Sequence, residues 1–160
     1  ALTARSAGVD PRAMRFVAFE GGGEALTALQ GGHIQVFTGD AAEAQQQLKA
    51  GSKIRILAVM SDKRLPGELA NVPTAKEQGS DIDWPIFRGF YVGPKVSDAD
   101  YKVWADTFSK MMASPEFEKL RTERGLFPLS ISVPEVDSFV KKQFNTYRTL
   151  VKDFGLAAAK

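Results

Sequence analysis

Three consecutive glycines, Gly21, Gly22 and Gly23, separate the apolar stretch "MRFVAF" from the helix-forming stretch "EALTALQ". A helix that starts directly after such a turn has unpaired N–H groups in its first turn, and its dipole adds partial positive charge there. The amides of Gly22, Gly23, Glu24 and Ala25 would therefore form a cradle for a small anion. A structural corner without ligand remains the alternative, since neither the G-x-x-x-x-G-K-[ST] nor the G-x-G-x-x-G pattern is present.

A second candidate corner is "FTGDAAEA", which also lies between a predicted strand and a predicted helix. In parallel α/β sheets, ligands bind outside the carboxyl ends of the strands, where adjacent loops diverge. Thr38 offers a hydroxyl and Gly39 an unhindered amide, so two neighbouring helix starts would clamp one carboxylate. The simpler alternative is that Thr38 or Asp40 only caps the helix.

Arg88 is a cation among apolar and aromatic neighbours in "IFRGF". If its guanidinium faces a cleft, it is suited to hold a ligand carboxylate through two parallel hydrogen bonds. The alternative, to which we give equal weight, is that Arg88 occupies the solvent-facing side of a strand.

The sequence supports neither a catalytic site nor a metal site. There is no cysteine, and His33 is the single histidine, which argues against zinc; no G-x-S-x-G elbow accompanies it. Glu20 and Glu24 flank the glycines as a carboxylate pair, but the helix dipole explains a first-turn glutamate more simply. We expect no catalytic residue, no metal and no cofactor.

The hydrophobic pattern predicts how these residues are positioned. Residues 14–19, 33–37 and 53–61 have the apolar content of strands, and the two stretches between them favour helices. This order is typical of a parallel α/β sheet. An aromatic-rich segment around "IFRGFYV" is predicted to cross between lobes; it is followed by helices capped at Ser97 or Asp98 and at Ser114, a short strand over 126–132 and a long helix.

Composition excludes some classes of function. The 160 residues are 44% hydrophobic and 25% charged, with a net charge of +2, which gives no electrostatic support for binding nucleic acid or a membrane surface. No apolar run approaches the ~20 residues of a membrane span. Because the chain starts without Met and within an apparent helix, we expect it to be a piece of a longer protein.

Several blocks, in order, resemble one known family: "VAFEGGGEALTALQGGHIQV", "IRILAVMSDKR", "NVPTAKEQG", "FRGFYVGPKVS" and "RGLFPLSIS". They are similar to the substrate-binding proteins of tripartite tricarboxylate transporters, the TctC or Bug group of periplasmic receptors. The resemblance covers almost the whole chain, and the glycine block with its trailing "GGH" is its most specific part.

The resemblance implies an α/β fold of the two-lobed type II periplasmic-binding-protein kind (a Venus flytrap), here truncated, with a parallel or mixed sheet flanked by helices. Residues 1–83 would form most of the second lobe, and residues 84–160 the crossover strand and the return to the first lobe. The implied function is a periplasmic receptor, not an enzyme, that delivers a small di- or tricarboxylate to a membrane permease. The implied ligand-binding residues are Gly21, Gly22, Gly23, Glu24, Thr38, Gly39, Asp40 and Arg88.

The chain also departs from the family pattern. Glu20 and Glu24 stand where many members have a basic residue and a proline, so the rim of the site is more acidic. By the layout of the family, we expect a signal peptide and the first segment of the first lobe to be missing from this chain, and therefore expect a dimer or a companion chain. Two other functions stay open: an α/β enzyme that acts on a carboxylate, and the ligand-sensing domain of a regulator.

Overall fold

The computed structural model describes residues 1–127, 131 and 133–155. Within them the chain forms six α-helices, and three short 3₁₀ turns lie between the helices. The helices are α1 (Leu2–Ser6), α2 (Gly22–Gln30), α3 (Ala41–Lys49), α4 (Asp98–Met112), α5 (Pro115–Glu123) and α6 (Val133–Asp153). The 3₁₀ turns are Pro11–Ala13, Gly67–Leu69 and Lys76–Gln78.

The helix boundaries follow the capping residues of the sequence. The side chains of Asp40, Ser97 and Ser114 accept hydrogen bonds from the first turns of α3, α4 and α5, which confirms these predicted caps. Past the end of α2, Gly32 has a φ of +73°, and the next amide, of His33, donates to the Ala28 carbonyl at 2.9 Å. Such a turn needs a left-handed residue, which is why glycine ends this helix.

The predicted sheet is not confirmed. Among the described residues there is no β-strand, and the only strand-type pairing outside strands is one parallel bridge, between Val59 and Thr74. Residues 14–19, 33–37 and most of 53–61 connect the helices as irregular chain. A strand needs hydrogen bonds from a neighbour as well as apolar residues, and here those bonds are not made. The strand predicted at 126–132 includes residues 128–130 and 132, which lie outside the described residues.

The one bridge is well anchored. The Val59 amide donates to the Pro73 carbonyl at 3.0 Å, and the Val59 carbonyl accepts from Ala75 at 2.9 Å. Thr74 is only 2% exposed, and its side chain and that of Glu77 cap each other's backbone. The Glu77 amide donates to the Thr74 hydroxyl at 3.1 Å, and the Thr74 amide donates to the Glu77 carboxylate at 2.7 Å. This reciprocal pair is a capping box, and it fixes the short turn predicted here as a helix.

The aromatic segment 84–90 connects distant parts of the chain. The Trp84 amide donates to the Met60 carbonyl at 2.9 Å, next to the bridge. Three rings of the segment contact helices: Trp84 meets Tyr147 of α6 at 5.2 Å between ring centroids, Phe87 meets Phe139 of α6 at 5.0 Å, and Phe90 stacks on Phe108 of α4 at 4.0 Å. Arg88 is thereby held between two ring contacts.

Much apolar surface stays accessible to solvent. The accessible surface is 12375 Å², against roughly 7900 Å² expected for a compact chain of 17.4 kDa. Phe16 is 81% exposed, Tyr91 74% and Phe90 66%, whereas Leu26 and Leu69 are buried. None of the helices in the described ranges is long and apolar enough to cross a membrane.

Candidate functional site

Helices α2 and α3 lie side by side and run in the same direction. At their C-terminal ends, the Gln30 side-chain amide donates to Gln47 and to the Ser52 hydroxyl, at 3.0 Å each. At their N-terminal ends, the Glu43 side chain of α3 lies against Gly22 of α2. Both helices therefore present their N-termini, with the positive ends of their dipoles, at the same edge.

The first corner is the start of α2. Gly21 is its N-cap residue, and within the described part of the chain the amides of Gly22, Gly23 and Glu24 have no acceptor. The prediction that the Ala25 amide is also free for a ligand is wrong. This amide donates to the Gly21 carbonyl at 3.3 Å and makes the first hydrogen bond of the helix. Three unpaired donors remain at this corner, each able to hydrogen-bond an anion.

The Glu24 side chain is used inside the corner. Its carboxylate accepts a hydrogen bond from the Glu20 amide at 3.2 Å. This contact folds the chain back before the helix and satisfies a backbone donor, much as a capping box does. Glu24 can therefore offer its backbone amide to a ligand while its carboxylate stabilises the turn.

Glu43 occupies the surface of the glycine turn. A Cβ atom on Gly22 would lie 1.7 Å from Oε2 of Glu43 and 2.7 Å from its Cδ. Only glycine at position 22 leaves room for this approach, whereas a Cβ on Gly21 or Gly23 would meet nothing within 4 Å. The sequence suggested a carboxylate clamped between two helix starts, and in the structure a carboxylate of the chain itself lies there.

The second corner is the start of α3. Oδ1 of Asp40 accepts a hydrogen bond from the Ala42 amide at 2.9 Å, so Asp40 and not Thr38 is the cap. The Thr38 side chain is exposed, and its hydroxyl has no hydrogen-bond partner among the described residues. The Phe37 ring lies over Gly39, where a Cβ would be 2.0 Å from the ring carbon Cζ.

Arg88 reaches the second corner from the aromatic segment. Its Nη2 lies 2.5 Å from Oδ2 of Asp40; the Arg88 side chain is 55% exposed and that of Asp40 is 16% exposed. Neither sequence interpretation anticipated this ion pair with a partner inside the chain. It leaves Nε and Nη1 of Arg88 without a partner in the described part of the chain, so the guanidinium keeps donors for a ligand.

The structure thus brings the predicted binding residues to one edge. Gly22 joins the edge through Glu43, and Arg88 joins it through Asp40. His33 is elsewhere, at the opposite end of α2. An open groove of about 780 Å³ along α6, lined by Arg5, Lys141 and Lys142 among others, includes none of the predicted binding residues.

Within residues 1–127, 131 and 133–155, no group of three or more histidine, cysteine, aspartate or glutamate side chains is placed so that it could hold a metal ion. The hydrogen-bond donors at the edge are backbone amides, a hydroxyl and a guanidinium, which are suited to bind an anion. The arrangement can bind and orient an anion.

Comparison with known proteins decides the family. The model of the tripartite tricarboxylate transporter family receptor, TctC, matches residues 4–156. The chain belongs to this family. Neither the curated proteins nor the solved structures that were compared gave a match. The family resemblance found in the sequence is therefore confirmed. As a member of the TctC family, the chain is a solute-binding protein.

Family membership also bears on the wider predictions. TctC receptors are substrate-binding proteins and not an enzyme family, which supports a non-enzymatic role at the level of the family. The family implies the fold of periplasmic binding proteins, although the described helices and turns do not include the sheet. Family membership likewise supports carboxylate binding by the TctC chain.

Sequence reasoning missed Glu43 at this edge. It considered Glu20, Glu24 and Asp40 as carboxylates near the glycines, but not the glutamate three residues after Asp40. The available signal was its position in the first turn of the helix that "FTGDAAEA" begins. A first-turn side chain is close to any neighbouring helix start at the same edge.

Proposed function

We propose that this chain is an extracytoplasmic receptor that binds a small di- or tricarboxylate and delivers it to the membrane permease of a tripartite tricarboxylate transporter. The observation that carries the proposal is the match to the TctC receptor family over residues 4–156. The proposed location is the periplasm, since receptors of this family work there. Because the amides recognise charge and shape, the proposal names a ligand class and no individual acid.

The proposed ligand site is the edge shared by the first turns of α2 and α3. Its donors are the amides at Gly22, Gly23 and Glu24, after the N-cap Gly21. Unpaired N–H groups and the positive ends of two parallel helices favour a carboxylate at this edge.

The start of α3 supplies the rest of the site. There Thr38 adds a hydroxyl, Gly39 an amide and Arg88 its remaining guanidinium donors, while Asp40 holds Arg88 in place. The guanidinium is positioned to meet a second carboxylate of a di- or tricarboxylate, which gives a reason for selecting acids with more than one charge.

We further propose the two-lobe division given above, with residues 1–83 in most of one lobe and residues 84–160 forming the crossover and the return. The aromatic segment 84–90 supports it, because this segment contacts α4 and α6 through its rings and the start of α3 through Arg88. In a cleft-closing receptor, a segment between lobes would carry Arg88 towards the ligand when the lobes close.

We also propose that the exposed apolar surface is covered by a second copy or a companion chain. Phe16, Val17, Val36 and Tyr91 are all more than half exposed, on irregular segments whose backbone groups are available for strand pairing. Sedimentation velocity over a range of concentrations tests this proposal, with a dimer or a larger species expected. A single monomeric species at all concentrations would count against self-association.

Isothermal titration calorimetry and thermal shift against succinate, malate, citrate and tricarballylate test the receptor function. We expect one-to-one binding of at least one acid, a raised melting temperature and unchanged ligand after incubation. The diamide of the bound acid is the control, because it keeps the shape without the charge. Binding of the diamide with equal affinity would exclude recognition of the carboxylate, and consumption of the acid would favour the enzyme.

A further inference from the structure

Glu43 places a negative charge where the proposed ligand carboxylate belongs. Its Oε2 lies 1.7 Å from the position of a Cβ on Gly22, so the carboxylate rests directly on the backbone of the first residue of α2. Glu43 itself lies in the first turn of α3. The charge is therefore close to the N-termini of two helices at once.

This carboxylate has no other partner to explain its position. Among the residues that the structure describes, no hydrogen bond or ion pair involves Glu43, and its side chain is half-buried. Glu24, the other first-turn glutamate of this edge, accepts a hydrogen bond from Glu20 at 3.2 Å. Attraction to the two positive helix ends is thus the favourable interaction that remains for Glu43.

We propose that Glu43 is a built-in occupant of the carboxylate site, which the ligand must displace in order to bind. The inference rests on the proposed receptor function and names the residue that sets its affinity. A ligand carboxylate at the same amides would lie within a few ångströms of the Glu43 charge, and two like charges so close repel strongly outside bulk water.

Displacement is physically simple at this position. Glu43 contacts Gly22 through the end of a flexible side chain, and a change of rotamer moves the carboxylate towards solvent without moving either helix. In the free receptor the Glu43 carboxylate lies against Gly22 at the start of α2, and in the loaded receptor a ligand carboxylate takes its place. Affinity for the ligand is lowered by the cost of that exchange.

The test compares Glu43→Gln with the matched control Glu116→Gln. Glu116 is also a first-turn glutamate, at the exposed start of α5, so each variant removes one negative charge at a helix start. Calorimetry with citrate and with succinate should show binding to Glu43→Gln at least tenfold tighter than to the wild type, and unchanged binding to Glu116→Gln. Equal or weaker binding to Glu43→Gln would overturn the inference.

Backbone amide spectra provide a readout that does not depend on a ligand. In Glu43→Gln, the ¹H–¹⁵N signals of Gly22, Gly23 and Glu24 should move, and in Glu116→Gln they should stay in place. Unmoved signals in Glu43→Gln would show that the carboxylate does not rest there. If the wild type and both variants bind no acid, the receptor function itself is refuted; wild-type binding with unaltered affinity in Glu43→Gln refutes only the role of Glu43.

Discussion

Asp40 holds two partners with the two oxygens of one carboxylate. Oδ1 accepts the Ala42 amide of its own helix at 2.9 Å, and Oδ2 accepts Nη2 of Arg88, which lies 48 residues further along the chain. A helix cap made by local sequence thereby becomes the anchor for a distant cation. The start of α3 and the aromatic segment are joined at the proposed site by this single side chain.

Substitutions at Asp40 should separate these two roles. Asp40→Asn keeps an oxygen for the cap and loses the charge, whereas Asp40→Ala loses both. Loss of the cap costs about 1 kcal/mol, and a half-exposed ion pair contributes less than about 1 kcal/mol. We expect Asp40→Ala to lower the free energy of unfolding in urea by about 1 kcal/mol more than Asp40→Asn. Equal effects of the two variants would mean that the cap contributes nothing.

Gly22→Val should abolish carboxylate binding while the helices are retained. The branched side chain would stand where the Glu43 carboxylate now lies and would shield the amides beside it. Calorimetry measures the binding, and far-UV circular dichroism measures the helix content. Gly93→Val is the matched control, since a Cβ on Gly93 would meet nothing within 4 Å. Retained affinity in Gly22→Val would exclude the glycine corner as the binding site.

The Thr74–Glu77 capping box predicts a dependence of stability on pH. Hydrogen bonds from the Arg64 guanidinium and the Thr74 amide lower the pKa of Glu77 below its usual 4.5. Since the folded-state pKa is the lower one, this stabilisation is present above pH 4.5 and is lost as the pH falls through the folded-state pKa.

Urea unfolding of the wild type and of Glu77→Gln between pH 3 and 7 measures this effect. At pH 7 we expect the wild type to have a larger free energy of unfolding than Glu77→Gln. This difference in free energy should shrink as the pH falls below about 4.5. Glu123→Gln, at the end of α5, serves as a control for the loss of one charge. A difference between wild type and Glu77→Gln that stays constant with pH would contradict the assignment.

Phe139→Ala should loosen the aromatic segment from α6. Phe139 meets Phe87 edge to face at 5.0 Å, directly beside Arg88. We expect a loss of about 1–2 kcal/mol in the free energy of unfolding, less than for a fully buried ring, because Phe139 is half-buried. Phe144 of the same helix is 53% exposed, and Phe144→Ala should cost less. Equal losses would show that the Phe87 contact does not stabilise the chain.

The helices were predictable from the sequence because their signals are local. Asp40, Ser97 and Ser114 each cap a helix within three residues of themselves, and Gly32 ends α2 through its own φ angle. The glycine turn before α2 was predictable for the same reason. Strands were not, because apolar content marks a segment that can pair, while pairing depends on a partner elsewhere in the chain.

The sequence by itself determined the family, the caps of the helices and the glycine corner where backbone amides are left unpaired. The sequence also predicted that the starts of α2 and α3 are neighbours, but only the tertiary structure decided that Arg88 pairs with Asp40 and that Glu43 rests on Gly22. The physical reason is the separation along the chain between the groups that interact. A cap or a glycine turn is fixed by bonds within a few residues, whereas the position of a charged side chain depends on whichever distant helix end the fold brings within its reach.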